Sequence, residues 1–293
     1  MDPHPPHSEL GVRRRRLRLF RRRQIPMRML VPNFFTLLSL CAGLTAIRMA
    51  IEGRFELALA FVVAAGLLDA VDGRAARWLK AQSRFGAELD SLADFVNFGV
   101  APALIVYSWC FKDLASLKSL GWITVMVFAA AMSLRLARFN SMLDEDKPKW
   151  KNSYFTGMPA PAGAITVLLP LYVEGAGLFG VRGMPVVVAA YTLAMAFLLV
   201  STIPTFSGKN LGGPVRWDVA LPMLVGLALV IALLATYSYE TMMVITLAYL
   251  GLIPWSYRRY QKQMQTMEAE SSRAAAASDP RVVDIRSADP AKR

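Results

Sequence analysis

The chain has 293 residues, 55% of them hydrophobic, with a formal net charge of +12 and a mean hydropathy of +0.39. A soluble domain of this size is about 45–50% apolar; here the excess lies in blocks of roughly 20 residues, the length a helix needs to cross about 30 Å of hydrocarbon, which excludes an ordinary soluble globule. The charge does not point to nucleic acid either: nine arginines lie between Arg13 and Arg28 and most other cations sit at the ends of apolar blocks, the pattern of a surface that meets anionic lipid.

In chain order, residues 1–28 read as a basic leader on the cytoplasmic side. The apolar stretch from Met29 to Ile51 is too long for a signal peptide and lacks a small-residue cleavage site, so it reads as a first span. Seven more spans follow, roughly 55–76, 88–110, 119–138, 159–178, 184–205, 218–237 and 241–257. Cys41 and Cys110 fall inside apolar blocks without metal-ligand spacing and read as packing residues. Residues 261–293 are rich in Ala and Ser with prolines, and read as a disordered tail.

The loops test the orientation. With the N-terminus inside, the cytoplasmic segments carry Arg74, Arg77, Lys80, Arg84, Arg135, Arg138, Lys147, Lys149, Lys151, Lys209, Arg216, Arg258, Arg259 and Lys262, besides the leader. The other face carries Arg48, Arg54, Lys112, Lys118 and Arg182. The predicted fold class is all-α: a polytopic membrane helix bundle of eight spans with both termini cytoplasmic. A six-span version with re-entrant blocks is the rival topology.

The departures from apolar pattern are concentrated in residues 67–95, and ionisable groups at membrane depth are expensive enough to mark function. Asp69 and Asp72 are three apart, about 60° from each other on a helix; Asp90 and Asp94 are four apart, about 40° from each other. In an antiparallel hairpin, Asp69 would face Asp94 and Asp72 would face Asp90. Two such levels suit two divalent cations roughly 3.5–4 Å apart, and hard carboxylate ligands favour Mg²⁺ or Mn²⁺ over zinc. Gly73 and Ala76 keep the neighbouring wall shallow, Arg77 could reach a phosphate oxygen, and Gly86 could let two helices come close. Isolated aspartates at a helix end are ordinary interface charges; four at matched depth are not.

Asp69-x-x-Asp72-Gly73-x-x-Ala76-Arg77, then Gly86-x-x-x-Asp90-x-x-x-Asp94, resembles the signature of the CDP-alcohol phosphatidyltransferase family. The resemblance implies a six-helix catalytic core within residues 29–210, two additional C-terminal spans within 211–260, and a homodimer. It also implies two divalent cations held by Asp69, Asp72, Asp90 and Asp94, with Asp94 doubling as the base for the acceptor hydroxyl. Gly73, Ala76, Arg77 and Gly86 would line the nucleotide site of the CDP-lipid. Further stretches, VPNFFTLLSLCAG from Val31, NFGVAPALI from Asn97, LRLARFN from Leu134, YFTGMPAPAGA from Tyr154 and STIPTFSGK from Ser201, look like those of bacterial serine-accepting members. Asn97 stands where some relatives carry serine.

That subgroup implies CDP-diacylglycerol and L-serine as substrates. A zwitterionic acceptor needs a cation for its carboxylate, and Arg135, Arg138, Asn140 and Lys151 are the candidates, with Thr156, Gly157 and Thr205 behind them. Positive-inside topology explains the same cations equally well. Other acceptors (glycerol 3-phosphate, inositol phosphate or choline) and an ion-coupled transporter are the competing functions. A transporter would place its acids near mid-membrane on paired broken helices, whereas these gather at one cytoplasmic hairpin.

Overall fold

The computed structural model describes residues 27–81, 83–142, 154–201, 204–206 and 217–278. The described chain is a bundle of helices: α1 (Met27–Ile51), α2 (Phe55–Trp78), α3 (Arg84–Phe111), α4 (Lys118–Ser141), α5 (Ala160–Val167), α6 (Leu169–Gly175), α7 (Pro185–Val200), α8 (Trp217–Thr236) and α9 (Ser238–Ser278). A two-stranded antiparallel ladder joins β1 (Tyr154–Thr156) to β2 (Pro204–Phe206), pairing Phe155 with Thr205.

Among the described residues, three helices are long and apolar enough to cross a membrane: Leu30–Ile51 within α1, α3, and α4. Pro185–Val200 and Leu221–Thr236 are apolar but shorter. This is an integral membrane protein. Its outward surface is correspondingly apolar, with Phe34, Leu67, Leu92, Leu134, Phe197 and Leu221 all exposed, because lipid replaces water as their solvent.

In lipid, helices gain little by hiding apolar side chains from one another, so close backbone approach does the packing. α1 and α2 illustrate this. The two helices pack closely, and Ala42, Ala46 and Ala50 on one and Ala58 and Ala65 on the other are all buried. α4 packs along α7, and α6 against the first part of α9. The centre is filled by Phe98, Phe111, Phe128, Met132, Leu168 and Tyr172. Gly121 is required there, since a Cβ on it would fall 2.2 Å from Phe111 Cγ.

The structure departs from the sequence reading in four places. The segment expected as one span at 159–178 is two helices meeting at Leu168, where Pro170 opens the second and cannot continue the first ladder. The span expected over 184–205 is a helix only over Pro185–Val200, and Pro204–Phe206 is the β2 strand. α9 continues to Ser278, so residues 261–278 are helical where a tail was expected; their Ala, Glu, Gln, Met and Arg are strong helix formers. Cys110 is buried as expected, but Cys41 is exposed on the bundle surface.

Candidate active site

The four acids lie on two helices whose ends are set by local chemistry. α2 stops at Trp78 without a glycine. The Lys80 amide donates to Arg77 O at 3.2 Å and the Ala81 amide to Ala76 O at 3.0 Å, with Lys80 itself left-handed at φ 49°. These two bonds form a Schellman stop that costs roughly 1–2 kcal/mol because the left-handed residue has a Cβ. α3 then starts at once, capped by Ser83, whose Oγ accepts from the Gly86 amide at 3.0 Å. The short reversal makes the two helices antiparallel neighbours.

The acids therefore converge. One carboxylate oxygen from each of Asp69, Asp72 and Asp90 lies within 4.8 Å of the others. The side chain of Asp94 meets that of Asp69 at hydrogen-bonding range, the pairing that the hairpin argument demands. Asp72 is 3% exposed. Asp72 Oδ2 and Asp94 Oδ1 are buried without a hydrogen-bond partner among the described residues. Buried carboxylates left without donors and facing one another are unstable unless protons or cations supply the missing charge. An oxygen-only donor set with orphaned oxygens fits a hard divalent cation.

The surrounding small residues behave differently from one another. A Cβ on Gly73 would meet only Arg77 Nη1, at 4.0 Å, so the surface beside Asp72 is open there. Ala76 is half-buried and Arg77 exposed on the same stretch of α2. Gly86 does permit close approach, but to α1: a Cβ on it would fall 3.0 Å from Asn33 Oδ1.

The candidate acceptor residues divide. Arg135 is half-buried and close enough to Asp94 for their charges to interact. Its Nε donates to Met158 O at 3.1 Å, and its guanidinium lies 5.6 Å from the Phe139 ring centroid. Arg138 Nη1 donates to Val200 O at 2.7 Å, holding the last turn of α7. Asn140 Nδ2 donates to Ser91 Oγ at 2.9 Å, which brings the end of α4 against the acid-bearing turn of α3. Lys151 lies outside the described residues. Thr156 and Thr205 sit on the two facing strands of the ladder. Gly157 follows at φ +82°, where a Cβ would fall 2.7 Å from Ser201 O.

The sequence reading noted Asn97 but gave it no place beside the acids. Asn97, 1% exposed, lies in a π-helical turn, Phe95–Val100, that begins directly after Asp94. Such turns gather at functional sites. The available signal was an amide at three and seven residues beyond Asp94 and Asp90, inside an otherwise apolar run.

An all-helical membrane bundle with a hairpin-borne cluster of acids matches the model of the CDP-alcohol phosphatidyltransferase family over residues 29–203. The chain belongs to that family. A second model, CDP-alcohol phosphatidyltransferase 2, matches residues 218–254, in α8 and α9. Its relatives include the CDP-diacylglycerol–serine O-phosphatidyltransferase of Mycobacterium tuberculosis, 40% identical over 232 residues that span 78% of each chain. The Helicobacter pylori protein of the same name is 32% identical over 230 residues, 78% of this chain and 92% of that one. The Bacillus subtilis one is 33% identical over 174 residues, 59% and 88%.

Proposed function

We propose that the chain transfers a phosphatidyl group from CDP-diacylglycerol to L-serine, giving phosphatidylserine and CMP. The observation that carries this reading is the meeting of Asp69, Asp72 and Asp90 within 4.8 Å, with Asp94 against Asp69. The names of the relatives support the substrates.

Asp69, Asp72, Asp90 and Asp94 are the residues that would hold Mg²⁺ or Mn²⁺, two ions by the family's pattern. Bound there, such cations polarise the diphosphate and offset charge on the departing nucleotide. The chain's own residues do the rest. Gly73 leaves room for the nucleotide beside Asp72, with Ala76 and Gly86 forming the wall and Arg77 within reach of a phosphate. Asp94 takes the proton from the serine hydroxyl. The serine oxygen bonds to the phosphorus that bears diacylglycerol, and the bond from that phosphorus to the bridging oxygen breaks, so CMP leaves with that oxygen. Arg135, beside Asp94, is the favoured partner for the serine carboxylate. Arg138 and Asn140 shape that pocket from the end of α4, and Lys151 supplies a further cation.

The placement of Lys and Arg supports eight spans, both termini and the acids on the cytoplasmic side of a cell membrane. On this reading residues 1–28 are a cytoplasmic leader, 29–210 the catalytic core, 211–260 two added spans and 261–293 a cytoplasmic tail. The protein works as a homodimer among membrane lipids.

The test is purified full-length protein with CDP-diacylglycerol, Mg²⁺ or Mn²⁺ and a panel of acceptor alcohols, scored for CMP release. Serine-dependent release that EDTA abolishes and added metal restores is the expected result. Release with glycerol 3-phosphate, inositol phosphate or choline but not serine would reassign the acceptor, and turnover indifferent to chelator would end the metal reading.

A further inference from the structure

We propose that Ser39 and Asn97 are positioning residues: a buried polar tie through them sets the axial register of α1, α2 and α3, and with it the spacing of Asp69 and Asp94. Asn97 Nδ2 donates to Ser39 Oγ at 2.8 Å, and Ser39 Oγ donates to Ala65 O at 2.8 Å. Both side chains are 1% exposed. Ala65 precedes Asp69 by four residues, so in helical geometry its carbonyl also accepts the Asp69 amide. Asn97 follows Asp94 by three residues, within the π turn. The tie therefore runs from the turn that follows one carboxyl, through α1, to the turn that carries the other.

Apolar packing alone sets this register loosely. Of the buried residues of α1 and α2, Ala42, Ala46, Ala50, Ala58 and Ala65 are small, while Met49, Leu59 and Val62 are bulkier, and apolar contacts carry no direction. A buried hydrogen-bonded chain has one satisfied arrangement, and single buried polar residues are known to specify helix register. The arrangement is also not what packing alone would choose. Asn97 Oδ1 is buried with no hydrogen-bond partner among the described residues, a cost that an apolar side chain would avoid. Space for it is made by Gly43 of α1. A Cβ there would fall 2.0 Å from Asn97 Oδ1, so the Gly43 Cα hydrogen points at that oxygen, a weak contact that partly offsets its isolation.

This inference rests on the proposed role of the acids, and its test separates the two. Full-length Ser39→Ala, Asn97→Leu and Ser39→Thr variants are compared with wild type in detergent micelles. Mn²⁺ binding is followed by electron paramagnetic resonance, CMP release by kcat and KM, and folding by the thermal midpoint without metal. Ser39→Ala and Asn97→Leu should each weaken Mn²⁺ binding and lower kcat about 10-fold or more, as loss of groups supporting metal ligands does, with the serine KM close to wild type and with losses larger than any fall in the metal-free midpoint accounts for. Ser39→Thr, which keeps the hydroxyl, should recover most of both. Mn²⁺ affinity and kcat within about twofold of wild type in both deletions, short of the loss expected for such groups, would overturn the tie. So would losses that merely track a lowered midpoint. Wild type that binds Mn²⁺ but releases no CMP would sink the proposed function and leave the tie to stand or fall on binding; wild type that does neither sinks both.

Discussion

The two ends of the bundle treat charge in opposite ways. At the far end, Arg48 meets Glu52 at 2.8 Å and Arg182 meets Asp113 at 3.5 Å, and all four side chains are substantially exposed. Each of these four charges has an opposite partner and access to its surroundings. At the other end Asp69, Asp72, Asp90 and Asp94 face one another, and two of their oxygens are buried without donors among the described residues. Arg135 is near Asp94, but among the described residues the direct ion pairs are those of the far end. The same residue types thus form exposed ion pairs at one end and a cluster of facing acids at the other. What separates them is burial, which makes an unpartnered charge costly and so worth keeping only where a ligand completes it.

The largest effect that would test this contrast is at the acids. Asp94→Asn should lower kcat by roughly 10²–10⁴-fold, the usual contribution of a general base, while binding of CDP-diacylglycerol in an equilibrium assay persists. Full turnover in this variant would remove the assigned role. Arg135→Gln comes next. Loss of a charged hydrogen bond is worth about 1.5–3 kcal/mol, so the serine KM should rise about tenfold or more with the KM for the lipid little changed. An equal rise in both would make Arg135 a structural tether to Met158 rather than an acceptor contact.

Gly157→Ala probes how the ladder is held over this end. Its φ of +82° and the close Ser201 carbonyl predict a loss of about 1–3 kcal/mol, measurable by denaturant titration in mixed micelles. An unchanged midpoint would show that the strand junction bears no strain. The smallest effect belongs to the far end. Arg182→Ala should change stability by less than about 1 kcal/mol and leave CMP release intact. A large loss of activity there would break the division between the two ends.

Local sequence was sufficient wherever a structural feature depends on spacing within one helix. The three- and four-residue intervals of Asp69, Asp72, Asp90 and Asp94 place each pair on one helix face, and depth matching pairs Asp69 with Asp94 across the hairpin. Spacing was insufficient where a contact crosses helices distant in sequence. Arg135 and Arg138 could be seen as cations near the acids. That their guanidinium groups hold Met158 O and Val200 O depends on where α5 and α7 come to rest. The Gly86 contact with Asn33 was likewise assigned to the wrong neighbour by a two-helix argument, because α1 was not part of it.

The sequence by itself determined that this chain lives in a membrane, that its acids gather on one hairpin, and to which family it belongs. Those features are written in hydropathy and in short-range periodicity, which survive without knowledge of the fold. Only the tertiary structure decided the pairing of Tyr154–Thr156 with Pro204–Phe206 and the Ser39–Asn97 tie near the acids. Each of these arises from side chains or backbone groups brought together over long stretches of chain, and helix packing in lipid selects them through close approach and buried polar bonds that no local pattern records.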